Sequence, residues 1–419
     1  MKEKIYSKLN ETIYEYVHTS GVRVFMVPKK GFLKSGAYFA THFGSIDYNF
    51  VPIGENEFKT VPDGVAHFLE HKVFEQPDNS NVFDMFSKFG GNANAYTAFD
   101  MTTYYFWCTE NFKENLKILV EFVQSPYFTK ENVEKEQGII GQEIRMYDDD
   151  PNWRCYFNML GCLYNDFPVK KDIAGTVESI SEITPEILYI CYNTFYHPSN
   201  MTLCLVGDFE PEDMRAYLED ILLKKDNVPE VKRKYEEEAE KIAKPYVSQK
   251  MSVSVPLYTI GFKDTKLTGE TEKRRAAFKI AMQLLLGKSS ELYAKLYNGG
   301  KITPSFGFDY TGEKNFAFSE ISDESPFGKE VAEEIISAAK NFSVSKEDFE
   351  RIKRKVFGKG LSVFDDPDEY AGALSRYTVK GLDLFKLYEA YESVSQTEVE
   401  DIIKTHFTKD NMALSEILM

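Results

Sequence analysis

Two histidines stand four residues apart in the stretch VAHFLEHKVFE, at His67 and His71, with Glu70 directly before the second. On a helix turning about 100° per residue, the two imidazoles lie about 40° apart on one face and can reach a single ion. Glu70 falls on the same side of that helix. Two neutral imidazoles and a carboxylate suit Zn²⁺, and a catalytic zinc keeps three protein ligands and one open position for water. With His67 and His71 as ligands, Glu70 is left as a base for that water, which is the HxxEH order of the inverted zincins. The competing reading is two partly exposed histidines on an amphipathic helix. The scarcity of histidine, six in 419 residues, weighs against it.

A third ligand must come from elsewhere. In ENVEKEQGIIGQEIRMYDDDP, Glu136 and Glu143 are seven residues apart. That spacing is about 20° short of two helical turns, so both project along nearly the same line. Val133, Ile140, Ile144 and Tyr147 can supply the packing face of this helix. One glutamate can ligate the metal while the other holds a histidine ring in place. The spacing does not choose between them, and taken alone an acidic helix is usually just solvated.

The elements that must position these groups are also legible. Pro62 and Asp63 suggest a helix start, giving a helix around 62 to 76. A second helix is expected around 79 to 89, with Val82, Phe83, Phe86 and Phe89 at helical spacing. GVRVFMVPK, SGAYFATHFGSI and NAYTAFDMTTYYFWC have the β-branched and aromatic content of strands. Strands and helices mix without a βαβ rhythm, which favours an α+β sandwich over a doubly wound sheet.

At 419 residues the chain favours two domains. ESISEITPEILYICYNTFYHPSNMTLCLVGDF near the middle and ESVSQTEVEDIIKTHFTKDNMALSEILM at the end share an order of capped helix, turn and strand. Thr184 matches Thr397, Phe195 matches Phe407, and Asn200-Met201 matches Asn411-Met412, which points to an internal duplication. LLKKDNVPEVKRKYEEEAEKIAKPYVSQ reads as a solvated helix or linker between the halves. The expected division is a zinc-bearing domain at 1–225, a charged linker at 226–247 and a non-catalytic domain of similar α+β fold at 248–419.

Composition excludes other classes. A net charge of -16 without a basic stripe disfavours nucleic acid. The N-terminal MKEKIYSKLNETIYEYV lacks the apolar run of a signal peptide, and no stretch approaches the ~18 apolar residues of a membrane span. The expectation is a soluble, cytoplasmic protein. The five cysteines, Cys108, Cys155, Cys162, Cys191 and Cys204, have no CxxC spacing and read as buried free thiols.

The ordered set GVAHFLEHKVFE, FSKFGGNANAYTAFDMTTYYF, EKEQGIIGQEI and IAGTVESISEITPEILYICYNTFYHPSNMTLCLVGDF resembles the pitrilysin, insulysin and mitochondrial processing peptidase family, in particular its short bacterial members. The resemblance covers nearly all of the first half and is looser in the second. It implies two similar α/β sandwich domains and a zinc metalloendopeptidase of short or unfolded peptides, acting in an enclosed dimer chamber. It further implies one Zn²⁺ per chain on His67, His71 and Glu143, with Glu70 as general base and Glu136 supporting the site. GGNANAYT would be the substrate strand, its edge pairing with an extended peptide around Asn94 and Ala95.

One departure stands out. Where self-sufficient members have an Arg and a Tyr that hold substrate, this sequence has Tyr297 and Thr303 in LYNGGKITPSFGFDY, with Tyr310 as a substitute that no spacing supports. The resemblance then implies a homodimer, or a heterodimer whose related subunit supplies the missing pair. Two alternatives are a peptide-binding scaffold subunit and an HxxEH lyase acting on S-ribosylhomocysteine, whose third ligand would be a cysteine such as Cys108 or Cys155.

Overall fold

A computed structural model describes residues 1–78, 80–224, 230–267 and 271–419. The chain divides into two compact units, and neither is contiguous in sequence.

The first unit comprises residues 1–144, 172–235 and 361–384. Its strands are β1 (Lys2–Tyr6), β2 (Glu11–Val17), β3 (Arg23–Pro28), β4 (Ser35–Thr41), β7 (Asn92–Thr97), β8 (Thr102–Cys108) and β9 (Met201–Gly207), with a small ribbon of β5 (Asn49–Phe50) and β6 (Lys59–Thr60) between. They form a seven-stranded sheet in the order β1-β2-β3-β9-β4-β8-β7. All seven residues of β4 and of β9 are buried, as expected of central strands covered on both faces. The helices that matter here are α1 (Val65–Val73), α2 (Val82–Lys88), α3 (Phe112–Val123) and α4 (Lys130–Asp148).

The second unit comprises residues 145–171, 236–360 and 385–419. Its sheet runs β10-β14-β11-β13-β12, with β10 at Tyr246–Lys250, β11 at Leu257–Lys263, β12 at Gly307–Gly312, β13 at Ala317–Asp323 and β14 at Met412–Leu418. This order and its pairing senses repeat five strands of the first sheet. β10 lies parallel to β14 as β3 lies parallel to β9, and the other neighbours are antiparallel in both.

The expected duplication is thus present in the topology. Each copy ends in an eleven-residue helix (Pro185–Phe195 and Gln396–His406), a 3₁₀ turn and a strand. The matching caps are Thr184 and Ser395, two residues before the expected Thr397.

The two units trade helices along the sequence. Helix Pro151–Leu163 belongs to the second unit, packed on β11 and β14, and helix Pro367–Thr378 to the first, packed on β4 and β9. Cys155 shares an apolar cluster with Leu257 and Ile417, and a Cβ at Gly261 would fall 2.3 Å from Met159 Sδ. Tyr38 Oη donates to Asp368 at 2.9 Å. A division into 1–225 and 248–419 does not follow these contacts, because each exchanged helix buries its apolar face on the other copy's sheet.

The charged segment also differs from expectation. Residues 225–229 lie outside those described. Residues 230–245 form no helix and are fastened rather than solvated: Arg233 Nε lies 3.0 Å from the buried Asp47 in the first unit. Glu238 accepts from Lys263 Nζ at 2.5 Å and from the amides of Asn165, Asp166 and Phe167 in the second. Among the described residues no helix is long and apolar enough to cross a membrane.

Candidate metal centre and active site

Helix α1 starts at Val65, later than Pro62 and Asp63 suggest. Its cap is Gly64 at φ 88°, and a Cβ there would meet Ala174 O at 2.4 Å, so only glycine fits this turn. Val65, Ala66, Phe68, Leu69 and Val73 are buried. This packing fixes the helix so that His67 and His71 share one face, with ring centroids 4.7 Å apart.

Helix α4 buries Val133, Ile140 and Ile144, and with them Glu136. Glu143 faces both histidines. Its carboxylate oxygens lie 3.6 Å from His67 Nε2 and 3.5 Å from His71 Nε2. One atom from each of the three residues lies within 4.8 Å of the others, the only such group of three or more His, Cys, Asp or Glu among the described residues.

These distances exceed ordinary hydrogen bonds. They match the separation of about 3.3 Å between donors of a tetrahedral ion bound at about 2.0–2.2 Å. His67 is nearly buried and its Nδ1 has no hydrogen-bond partner, so both of its nitrogens lack a bond of normal length. A cation at Nε2 would engage the nitrogen that faces Glu143, and the donor set of two imidazoles and a carboxylate fits zinc.

Glu136 occupies a different place. Its Oε1 lies 3.0 Å from His71 Nδ1, and its Oε2 lies 3.7 Å from Lys72 Nζ. Lys72 is fully buried and donates to Glu75 Oε1 and Asn132 O at 3.0 and 3.2 Å. The fold therefore separates two glutamates that spacing alone could not. Burial would push the Glu136 carboxyl up, but the hydrogen bond from His71 and the charges of His71 and Lys72 hold it below its ordinary value. Burial would lower His71, yet the bond to Glu136 and the charges of Glu70, Glu136 and Glu143 raise it.

The third acid, Glu70, accepts a 2.6 Å hydrogen bond at Oε2 from Thr97 Oγ1. Thr97 ends β7, which among the described residues pairs with β8 alone and forms an outer edge of the sheet. The expected single strand NAYTAFDMTTYYFWC is thus a hairpin, closed by the Ala98 amide on Met101 O at 2.8 Å. Asn94 is exposed on that edge, and its Oδ1 takes the Ala95 amide at 2.8 Å.

Other candidates fall away from the centre. All five cysteines are free and buried, and neither Cys108 nor Cys155 joins the metal-ligand group. Burial pushes the Cys108 thiol up to about 11. In the second unit Tyr297 is exposed and stacks on Tyr293, while Thr303 Oγ1 is held by Asp323 at 2.5 Å. Tyr310 is buried, stacked on Phe278 with its hydroxyl on Asp264 at 2.6 Å, so it has no free group to offer a substrate.

Sequence reasoning passed over Lys72 and Thr97. Lys72 had a signal, since it lies one turn beyond Phe68 on the buried face, where a lysine requires an anion. Thr97 had none, because its contact with Glu70 is made by the fold.

The fold is α+β, and its first unit brings two histidines and a glutamate together as a candidate metal site. Two family models match the chain: "Insulinase (Peptidase family M16)" over residues 51–177 and "Peptidase M16 inactive domain" over residues 182–356. The chain is 41% identical over 420 residues to a Bacillus subtilis protein named "Uncharacterized zinc protease YmfH", covering 99% of this chain and 98% of that one. The crystal structure of an M16-like peptidase from Alicyclobacillus acidocaldarius superposes with a TM-score of 0.92 at 32% identity, covering 97% and 98% of the two chains. A protease from Helicobacter pylori shares the fold, at a TM-score of 0.81, 17% identity and 97% and 99% coverage. The chain belongs to the M16, or insulinase, family of peptidases.

Proposed function

We propose that this chain is a zinc-dependent endopeptidase of short or unfolded peptides, with one zinc held by His67, His71 and Glu143. The observation that carries this reading is the convergence of those three side chains within 4.8 Å of one another, beside a glutamate fastened to an edge strand of the sheet. The relatives named as zinc proteases support it.

When bound, the ion would supply a water of lowered pKa and an electrophile for the scissile carbonyl. Glu70 takes the proton of the attacking water and delivers it to the leaving amine. The edge of β7 around Asn94 and Ala95 receives an extended peptide through its main chain, which tolerates varied side chains. Glu136 holds the His71 ring with Nε2 turned to the ion.

Tyr297 and Thr303 stand where self-sufficient relatives would have an Arg and a Tyr, and Thr303 is occupied by Asp323. The proposal therefore includes a dimer whose enclosed chamber admits the peptide, either of two copies or with a related subunit that supplies the missing groups. Measuring zinc content and peptide hydrolysis of the purified chain tests both parts. Near-stoichiometric zinc with weak hydrolysis that rises on adding the partner is expected. Vigorous hydrolysis by a monomer would remove the need for a partner, and a chain without zinc would favour a peptide-binding scaffold.

A further inference from the structure

We propose that Thr97 is a positioning residue that sets the geometry of Glu70 and ties it to the strand meant to receive the peptide. For its catalytic consequence this rests on the peptidase reading above. The contact itself does not depend on it.

Thr97 closes β7 opposite Thr102 of β8. The Thr102 hydroxyl donates to Phe43 O at 2.9 Å and lies 3.3 Å from Thr97 Oγ1. A hydroxyl has one proton to give. That of Thr102 goes to the Phe43 carbonyl, and that of Thr97 goes to Glu70 Oε2, at 2.6 Å. One carboxylate oxygen of Glu70 is thereby anchored, leaving Oε1 to take a proton from water. Ala95 and Asn94 are two and three residues earlier on the same strand, so one element both meets the peptide and holds the base. Without the hydroxyl, Glu70 is free to leave the line of attack, and a displacement of about 1 Å can cost about a hundredfold in rate.

The test uses the full chain, with its partner if hydrolysis requires one. Thr97→Val keeps the branched shape and removes the donor, and Thr97→Ser restores the donor. The expected result is full zinc content in both, kcat lowered about tenfold to a hundredfold in Thr97→Val with KM within about twofold, and most of kcat recovered in Thr97→Ser. An unchanged kcat in Thr97→Val, or no recovery in Thr97→Ser, would overturn the proposal.

A second measurement needs no activity. In metal-free protein, Thr97→Val should lower the urea midpoint in the native background and clearly less in a Glu70→Ala background. Equal shifts in both backgrounds would overturn the contact's role. Absence of zinc-dependent hydrolysis by the native chain even with its partner would instead sink the peptidase reading and leave this coupling intact.

Discussion

Glu136 Oε1 and His71 Nδ1 are 3.0 Å apart, and that contact decides where the other ring nitrogen faces. With Nδ1 engaged, Nε2 is presented toward Glu143 and, across it, His67 Nε2. Removing the grip should loosen the metal without removing a ligand. Glu136→Gln is expected to weaken zinc binding by about 10–100-fold, and Glu143→Ala by more, both measured by competition with a chromogenic chelator. Equal affinities in native and Glu136→Gln protein would contradict this role.

Lys72 and Glu136 form the deeper layer of the same arrangement. Replacing the fully buried lysine leaves a buried carboxylate without its cation. Lys72→Met is expected to destabilise the fold by about 3–5 kcal/mol. Adding Glu136→Gln should return part of that loss, since the two changes share one interaction. Urea unfolding of the single and double variants checks this, and additive losses would count against it.

Glu70 is assigned proton transfer and no metal bond. Glu70→Gln should therefore keep its zinc while losing turnover by at least about a hundredfold. Steady-state hydrolysis of a quenched peptide, alongside metal analysis of the same sample, separates the two effects. Loss of zinc in this variant would make Glu70 a ligand.

Away from the centre, Glu238 fastens the charged segment to the second unit. Burial alone would raise its carboxyl, but the amides of Asn165, Asp166 and Phe167 and the ammonium of Lys263 lower it to about 2. A carboxyl depressed in the folded state contributes stability above its unfolded value of about 4.3, and that contribution fades as pH falls toward about 2. Glu238→Gln should be less stable than the native chain at pH 7, with the gap narrowing between about pH 4.3 and 2. Thermal unfolding across that range reads it directly, and a gap independent of pH would point to another cause.

Local spacing made the centre legible. HFLEH needs only a helix to bring two imidazoles together, and a seven-residue interval needs only a helix to align Glu136 with Glu143. The terminal helix, turn and strand of each copy could be read for the same reason, since a cap and an alternating strand are short-range signals. Contacts made by distant segments were not legible. The grip of Thr97 on Glu70, the fastening of Arg233 to Asp47 and the exchange of helices between units depend on how the sheets assemble. The choice between Glu136 and Glu143 was of this kind too, and it came within reach of the sequence only through resemblance.

The measurement that bears most directly on the central claim is zinc stoichiometry of the purified native chain beside His71→Ala and Glu143→Ala. About one zinc per native chain is expected, with most of it lost in each variant at an unchanged far-UV circular dichroism spectrum. A native chain without zinc, or full zinc in the folded variants, would contradict it.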